Sequence, residues 1–298
     1  MKFEIIMPYR PCSHGDLSSP GGELIQLEDD SWRNSSGNIF KEGLEYEKHR
    51  VSIRQAIEAL NKNSFYKHHI IVAIDADVYP NKSFLKNFEN VSIIKSEVKV
   101  SQEYRGTRMP IACKTAIDSL LGEGFICNVY LADTICSKDW DKHIVEAIDR
   151  FGEDKVYIPI WVEGSQGRFQ ELTGIELTPD FIWGECSKKV AAGIFFLPDP
   201  RQDYIQEEDF EHYIEIFKKG NRDCIIEKCG GRFFGWLISM FMKIDYAKQV
   251  KFDINEDVHS IDTAFDSQLG RLGLNKVVVT NSFIWHPQCP HLELRLKY

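Results

Sequence analysis

Long apolar runs are missing from this chain. The run in the opening MKFEIIMPYR is five residues, too short for the core of a signal peptide, and no later window approaches the ~20 apolar residues of a spanning helix. A protein without leader or membrane segment is therefore expected. Positive charge is also scarce: 36 Lys and Arg stand against 45 Asp and Glu, a net −9. Nonspecific binding to nucleic acid or anionic membrane rests on basic surface and counterion release, so neither partner is expected. The eight cysteines contain no C-x-x-C pair, and Cys224 and Cys229 lie five apart, outside the usual structural-zinc spacing. A chain of 298 residues needs no disulfide staples, so reduced thiols in a cytoplasm are expected. Internal repeats and low-complexity segments are absent too.

What is present is the composition of a globular protein, 43% hydrophobic and 27% charged. In the first half, short β-rich runs alternate with amphipathic helical stretches, the pattern of a parallel sheet wound with crossover helices. Strands are predicted at 3–8 (FEIIMP), 69–74 (HIIVAI), 91–96 (VSIIKS) and 125–132 (FICNVYLA), with helices over 45–63 and 109–124 between them. Val51, Ile53, Ala56, Ile57 and Leu60 recur at helical spacing in the first helix, and Gly122 and Gly124 close the second. Residues 11–44, rich in Ser, Gly, Asn and Asp, read as a long loop over the carboxyl edge of the sheet. A strand at 155–163 opens the second half, and regular alternation then fails from 164 to 231, apart from the acidic helical stretch QEEDFEHYIEIFKKG. A helix over 261–273 leads into a last strand, KVVVTNSFIWHP.

In open α/β sheets, ligands sit beyond the carboxyl ends of the strands. The candidates there are Pro8-Tyr9-Arg10, Asp75-Ala76-Asp77, Asp133-Thr134 and, after the last strand, His286. Carboxylates two apart on an extended chain leave it on one face, so Asp75 and Asp77 suit a shared hard cation; an ordinary turn explains the same residues, because VYPN follows at once.

The order of these elements resembles the nucleotide-sugar glycosyltransferases of the GT-A fold, and most of all the large inverting family that includes the cellulose and chitin synthases. That family opens on a strand ending in a Pro-x-Tyr-Asn type of motif, similar to Pro8-Tyr9-Arg10, and its second strand ends in an acid that holds the nucleotide base, as Asp75 does in position. Its fourth strand ends in Asp-x-Asp, followed seven residues later by a helix residue, and Asp133 to Trp140 has that spacing. The resemblance covers most of 3–134 and 230–287 and implies an α/β fold of GT-A type, a Rossmann-like, mostly parallel wound sheet with helices on both faces. It implies one domain over 1–298, with 1–135 binding the nucleotide sugar and 136–298 carrying acceptor and catalytic groups.

On the same resemblance Asp133 is the metal carboxylate, with Mn²⁺ or Mg²⁺ as cofactor, and His286 is a second ligand. Neutral imidazole suits Mn²⁺. Leu131 replaces the first Asp of the motif, so one carboxylate faces the ion and diphosphate oxygens must complete its sphere. The family's general base opens a helix that runs to a Gly eleven residues later. Asp262 has that spacing to Gly273, whereas the literal Glu256-Asp257 pair stands five residues too far away, and Ile261 replaces the Glu. Gly235 resembles the glycine that lets the sugar approach, with Trp236 beside it, and Phe252-Asp253 resembles a Phe-Asp-Glu motif. Arg105, Arg108 and Lys114 fall where the family brings basic groups to the donor phosphates. Trp161, Phe169 and Trp183 offer further flat faces to a sugar.

The implied activity is transfer of a sugar from a UDP- or GDP-sugar to a hydroxyl of a glycan or other acceptor, with inversion. Two rival classes share the features. A nucleotidyltransferase calls for a Gly-rich basic loop after the first strand, but PYRPCSHGDLSSPGG has only Arg10 as a basic residue besides His14. A noncatalytic nucleotide-sugar or glycan binder accommodates Leu131 and Ile261. A DNA-modifying glucosyltransferase is disfavoured by the acidic balance.

Overall fold

The structure is a computed structural model that describes residues 3–11, 22–42, 52–122, 124–129, 134–136, 138–164, 225–229, 239–255 and 261–287. Four predicted strands form its centre: β1 (Glu4–Tyr9), β5 (His69–Ile74), β7 (Val91–Lys95) and β8 (Phe125–Val129). They lie side by side in the order β8-β1-β5-β7, all parallel. Such strands are covered on both sides and read as unbroken apolar runs, as IIMPY and IIVAI do. Between them run α1 (Ile53–Asn63) and α2 (Arg108–Ser119). The chain moves one way from β1 through α1 to β5, and the other way from β7 through α2 to β8. Right-handed crossovers in opposite directions put the two helices on opposite faces and make the gap between β1 and β8 the point where strand order reverses.

Beyond β8 the sheet becomes mixed. β12 (Ser239–Lys243) is antiparallel to both β8 and β10 (Lys155–Gly164), and β10 runs parallel to β13 (Asn275–Pro287). β11 (Ile225–Lys228) and the short β9 (Ile135–Cys136) both pair antiparallel with β13, giving nine strands among the described residues. β12 is not legible in the sequence, because its three apolar residues stand consecutively between Ser239 and Lys243 and show no period of two.

Residues 22–42 correct the expectation of a plain loop. They contain β2 (Leu24–Gln26), β3 (Trp32–Asn34) and β4 (Ile39–Phe40), which join β6 (Val78–Tyr79) in a second, four-stranded sheet. Two or three residues are too few to display a strand period. What fixes the small sheet is burial of Leu24 and Trp32, with Trp32 edge-on to Tyr9 and to Phe84.

Helix α1 starts at Ile53, where Ser52 and Gln55 form a reciprocal capping box; the expected turns before Ser52 lie outside the described residues. α3 (Trp140–Phe151) packs on β10 and β13. After α4 (Ile244–Gln249) comes α5 (Ile261–Arg271), which ends as Gly273 turns left-handed at φ +77° and the Leu274 amide donates to the Leu269 carbonyl at 3.2 Å. The expected helix over 206–220 lies outside the described residues. No helix among the described residues is long and apolar enough to cross a membrane, and Cys113, Cys127, Cys136 and Cys229 are buried and in no disulfide.

At the amino edge of the sheet the elements are joined by one buried carboxylate. Asp141, in the first turn of α3, accepts the Phe65 and Tyr66 amides at 2.7 and 2.9 Å and the His68 Nε2 proton at 2.7 Å. His68 Nδ1 in turn accepts the Phe3 amide at 3.2 Å, which fixes the tautomer. Burial pushes the Asp141 carboxyl up, but His68 and the two amides outweigh it and hold it below the ordinary carboxylate range.

Candidate active site at the carboxyl edge

Register builds the first half of the site. Tyr9 pairs with Ile74 at the last step of the β1–β5 ladder, so Arg10 and Asp75 leave the sheet as neighbours. Their side chains form an ion pair through Arg10 Nη1 and Asp75 Oδ2, both almost fully buried, while Arg10 Nη2 donates to the Gly22 carbonyl at 2.7 Å. Asp75 Oδ1 accepts the Asp77 amide at 2.8 Å, which bends the chain. The two acids of D-A-D therefore do not converge on one cation. Asp75 turns to Arg10; Asp77 has Arg108 Nη2 and Lys99 Nζ each at 3.8 Å. Through its carbonyl Asp77 also holds the Leu24 amide, at 2.8 Å, and so fastens the small sheet to this edge.

The other predicted nucleotide contacts divide. Pro8 and Tyr9 are buried, and the Tyr9 ring stacks on Phe84 at 5.6 Å while its hydroxyl donates to Glu42 at 2.6 Å. Arg108, at the start of α2, reaches the cluster. Lys114 does not: it pairs with Asp118 one turn further along the helix, away from the strand ends. Arg105 lies in the 3₁₀ turn Gln102–Thr107, its side chain outside the described ones.

Sequence reasoning missed Lys95, Tyr79 and Lys99. Lys95 ends β7 at the same edge, and its Nζ sits 3.5 Å from the centroid of the Tyr79 ring. Desolvation lowers its ammonium pKa, and the charges of Asp75 and Asp77 oppose that. The strand-end rule that found Asp75 applies equally to the end of β7.

The second half of the site is described through its backbone. β9 pairs antiparallel with β13, Cys136 opposite Ile284 and Ile135 opposite Trp285. β9 begins two residues after position 133, and β13 runs on from Trp285 through His286 to Pro287. The Asn63 side chain holds the Cys136 carbonyl at 2.8 Å and so fixes β9 to the end of α1. His286 itself pairs with Glu163 of β10, beyond a register shift that leaves residues 280–282 bulged out of the ladder. Asp262 lies in the first turn of α5. Phe252 packs against Phe265 of that helix at 5.4 Å, and Asp253 closes a turn by accepting the Asn255 amide at 2.9 Å. Asp133, Gly235, Trp236, Asp257, His259, Phe169 and Trp183 lie outside the described residues, as do the side chains of Asp262, His286 and Trp161. No group of three or more His, Cys, Asp or Glu suited to a metal occurs among the described residues.

No protein-family model and no curated protein sequence matches the chain. Among solved structures it is similar to S. aureus TarS 1-349, with a TM-score of 0.50 and 12% identity over 99% of this chain and 63% of that one. A second similar structure is GalNAc-T7 with UDP, GalNAc and Mn²⁺, at a TM-score of 0.46 and 9% identity over 80% of this chain and 41% of that one. This chain spans less than two thirds of the length of either. At such identity the likeness to TarS shows the fold: mixed α/β of the GT-A type.

Proposed function

We propose that this chain, one domain over 1–298, is a metal-dependent glycosyltransferase that moves a sugar from a UDP- or GDP-sugar to an acceptor hydroxyl, on a glycan for example, with inversion. The GT-A-type fold supports the reaction class. The observation that carries the reading is the β9–β13 ladder, which brings the strand that follows Asp133 alongside the strand that contains His286. A carboxylate and an imidazole from those two strands suit Mn²⁺ or Mg²⁺ when donor oxygens complete the sphere. Such an ion, when bound, supplies Lewis-acid neutralisation of the charge on the departing diphosphate.

The chain's own groups do the rest. The Arg10–Asp75 pair and Asp77 with Arg108 form a preset charged wall at the carboxyl edge of 1–135, suited to a nucleoside diphosphate. Asp262, at a helix N-terminus, stays ionised at neutral pH and takes the proton of the acceptor hydroxyl. The acceptor oxygen bonds to the sugar carbon as that carbon's bond to the diphosphate breaks on the opposite face. Gly235 and Trp236 are assigned to the sugar, Pro8 and Tyr9 to the wall behind the base, and Lys114 to a peripheral phosphate contact. The setting we assign is the cytoplasm.

The test is a panel of nucleotide sugars with Mn²⁺, read by thermal shift and by release of nucleoside diphosphate. Asp262→Asn is expected to keep the donor-induced shift and lose transfer. Equal turnover in wild type and Asp262→Asn removes the base assignment and directs the same experiment to Asp257→Asn.

A further inference from the structure

At the amino edge of the sheet, opposite the proposed active site, lies a groove of about 570 Å³. Phe65 and Tyr66 line it, together with the buried residues Ile5, Leu60 and Ile70. Phe65 is 55% exposed, which for a large aromatic on a loop usually means a loosely held side chain. Here the loop is fixed. Asp141 accepts both loop amides, and Ser64 accepts the Trp140 indole proton at 3.0 Å. Phe65 and Tyr66 sit edge to face at 5.0 Å.

Across the groove two amides are held as firmly. Asn61 and Asn90 exchange side-chain hydrogen bonds at 2.8 and 3.4 Å, and Asn90 also donates to the His68 carbonyl at 3.0 Å. With both Asn90 N–H donors engaged, the groove offers the remaining Asn61 N–H and the amide oxygens, together with the exposed Phe65 ring. Its lining carries one Lys67 and one Glu89, and Lys142, whose Nζ lies 5.3 Å from the Phe65 ring centroid, is paired with Glu146 at 3.9 Å, so the charges balance. A phosphate or nucleic acid finds no excess of positive charge there, and a wholly apolar ligand would cover the amides without replacing their hydrogen bonds to water. The remaining chemistry is a neutral polyhydroxylated ligand: vicinal hydroxyls meet the amides, and a C–H face lies on the Phe65 ring.

We propose that this groove is a binding site for a neutral oligosaccharide, separate from the reaction centre. The full chain is titrated calorimetrically with cellopentaose, chitopentaose and maltopentaose, without nucleotide or metal. At least one is expected to bind. Phe65→Ala and Asn61→Ala are each expected to weaken it about fivefold, the scale of one lost stacking or hydrogen-bond contact. Both side chains are at the surface, and circular dichroism verifies that the variants fold. Saturating UDP with Mn²⁺ is expected to leave the affinity unchanged. No heat with any of the three sugars, unchanged affinity in both variants, or competition by UDP overturns the site. Because no donor turns over in this experiment, its failure leaves the proposed transferase activity standing, and failure of that activity leaves the groove standing.

Discussion

The two edges of the central sheet handle buried charge in opposite ways. At the carboxyl edge, carboxylates meet cations: Asp75 meets Arg10, and Asp77 lies near Arg108 and Lys99. At the amino edge, Asp141 meets only neutral donors, two backbone amides and one imidazole N–H. Amides are fixed dipoles that hold a carboxylate at little cost in order, because the loop that donates them is stitched down in the same act. Ion pairs are costlier to bury but leave guanidinium and ammonium groups that a polyanionic ligand can recruit. One edge is stable as it stands, and the other is the one we assign to a charged donor.

The largest effects are expected where chemistry is assigned. Asp262→Asn should lower kcat by about 10²- to 10⁴-fold in a nucleoside diphosphate release assay, with donor-induced thermal shift retained. Next come the buried charges. Truncating one partner of the carboxyl-edge pair, as in Asp75→Ala, strands the Arg10 guanidinium and should cost about 3–5 kcal/mol in chemical denaturation. Asp141→Ala strands two amides and the His68 N–H and should cost more than about 2 kcal/mol, without change in donor affinity. If Asp141→Ala weakens donor binding as much as Asp75→Ala does, the division between the edges fails.

Acid separates the edges further. The folded Asp141 carboxyl titrates below its unfolded value, so its contribution is complete above about pH 4 and is lost as pH falls through the lowered folded value. Asp141→Asn should remove that part of the acid slope, read as ΔG of unfolding between pH 5 and about pH 2. The smallest expected change is in thiol chemistry. Burial pushes the Cys113 and Cys127 thiols far up, so both should resist alkylation at neutral pH until the chain unfolds.

The wound sheet was legible because its strands are long apolar runs separated by helices of clear period. Arg10 and Asp75 could be placed at one edge from the strand ends alone, but their pairing depends on register, which the sequence does not display. The Lys114–Asp118 pair is illegible for a similar reason: position between two strands does not say which way along a helix a lysine turns, and Asp118 lies four residues on. The small sheet of β2, β3, β4 and β6 was illegible because its strands are shorter than one period and are held by Trp32 and Leu24 across the chain. Nothing in WDKHIVEAIDRF tells of the loop amides that Asp141 binds.

The central claim is that Asp133 and His286 share one metal at the donor diphosphate. Electron paramagnetic resonance of Mn²⁺ titrated into the full chain with UDP reads it directly, since a coordinated imidazole nitrogen modulates the Mn²⁺ spin echo. Nitrogen modulation is expected in the wild type, its loss with retained but weaker binding in His286→Gln, and no ternary complex in Asp133→Ala. Mn²⁺ and UDP bound equally well by Asp133→Ala, or nitrogen modulation unchanged in His286→Gln, would contradict it.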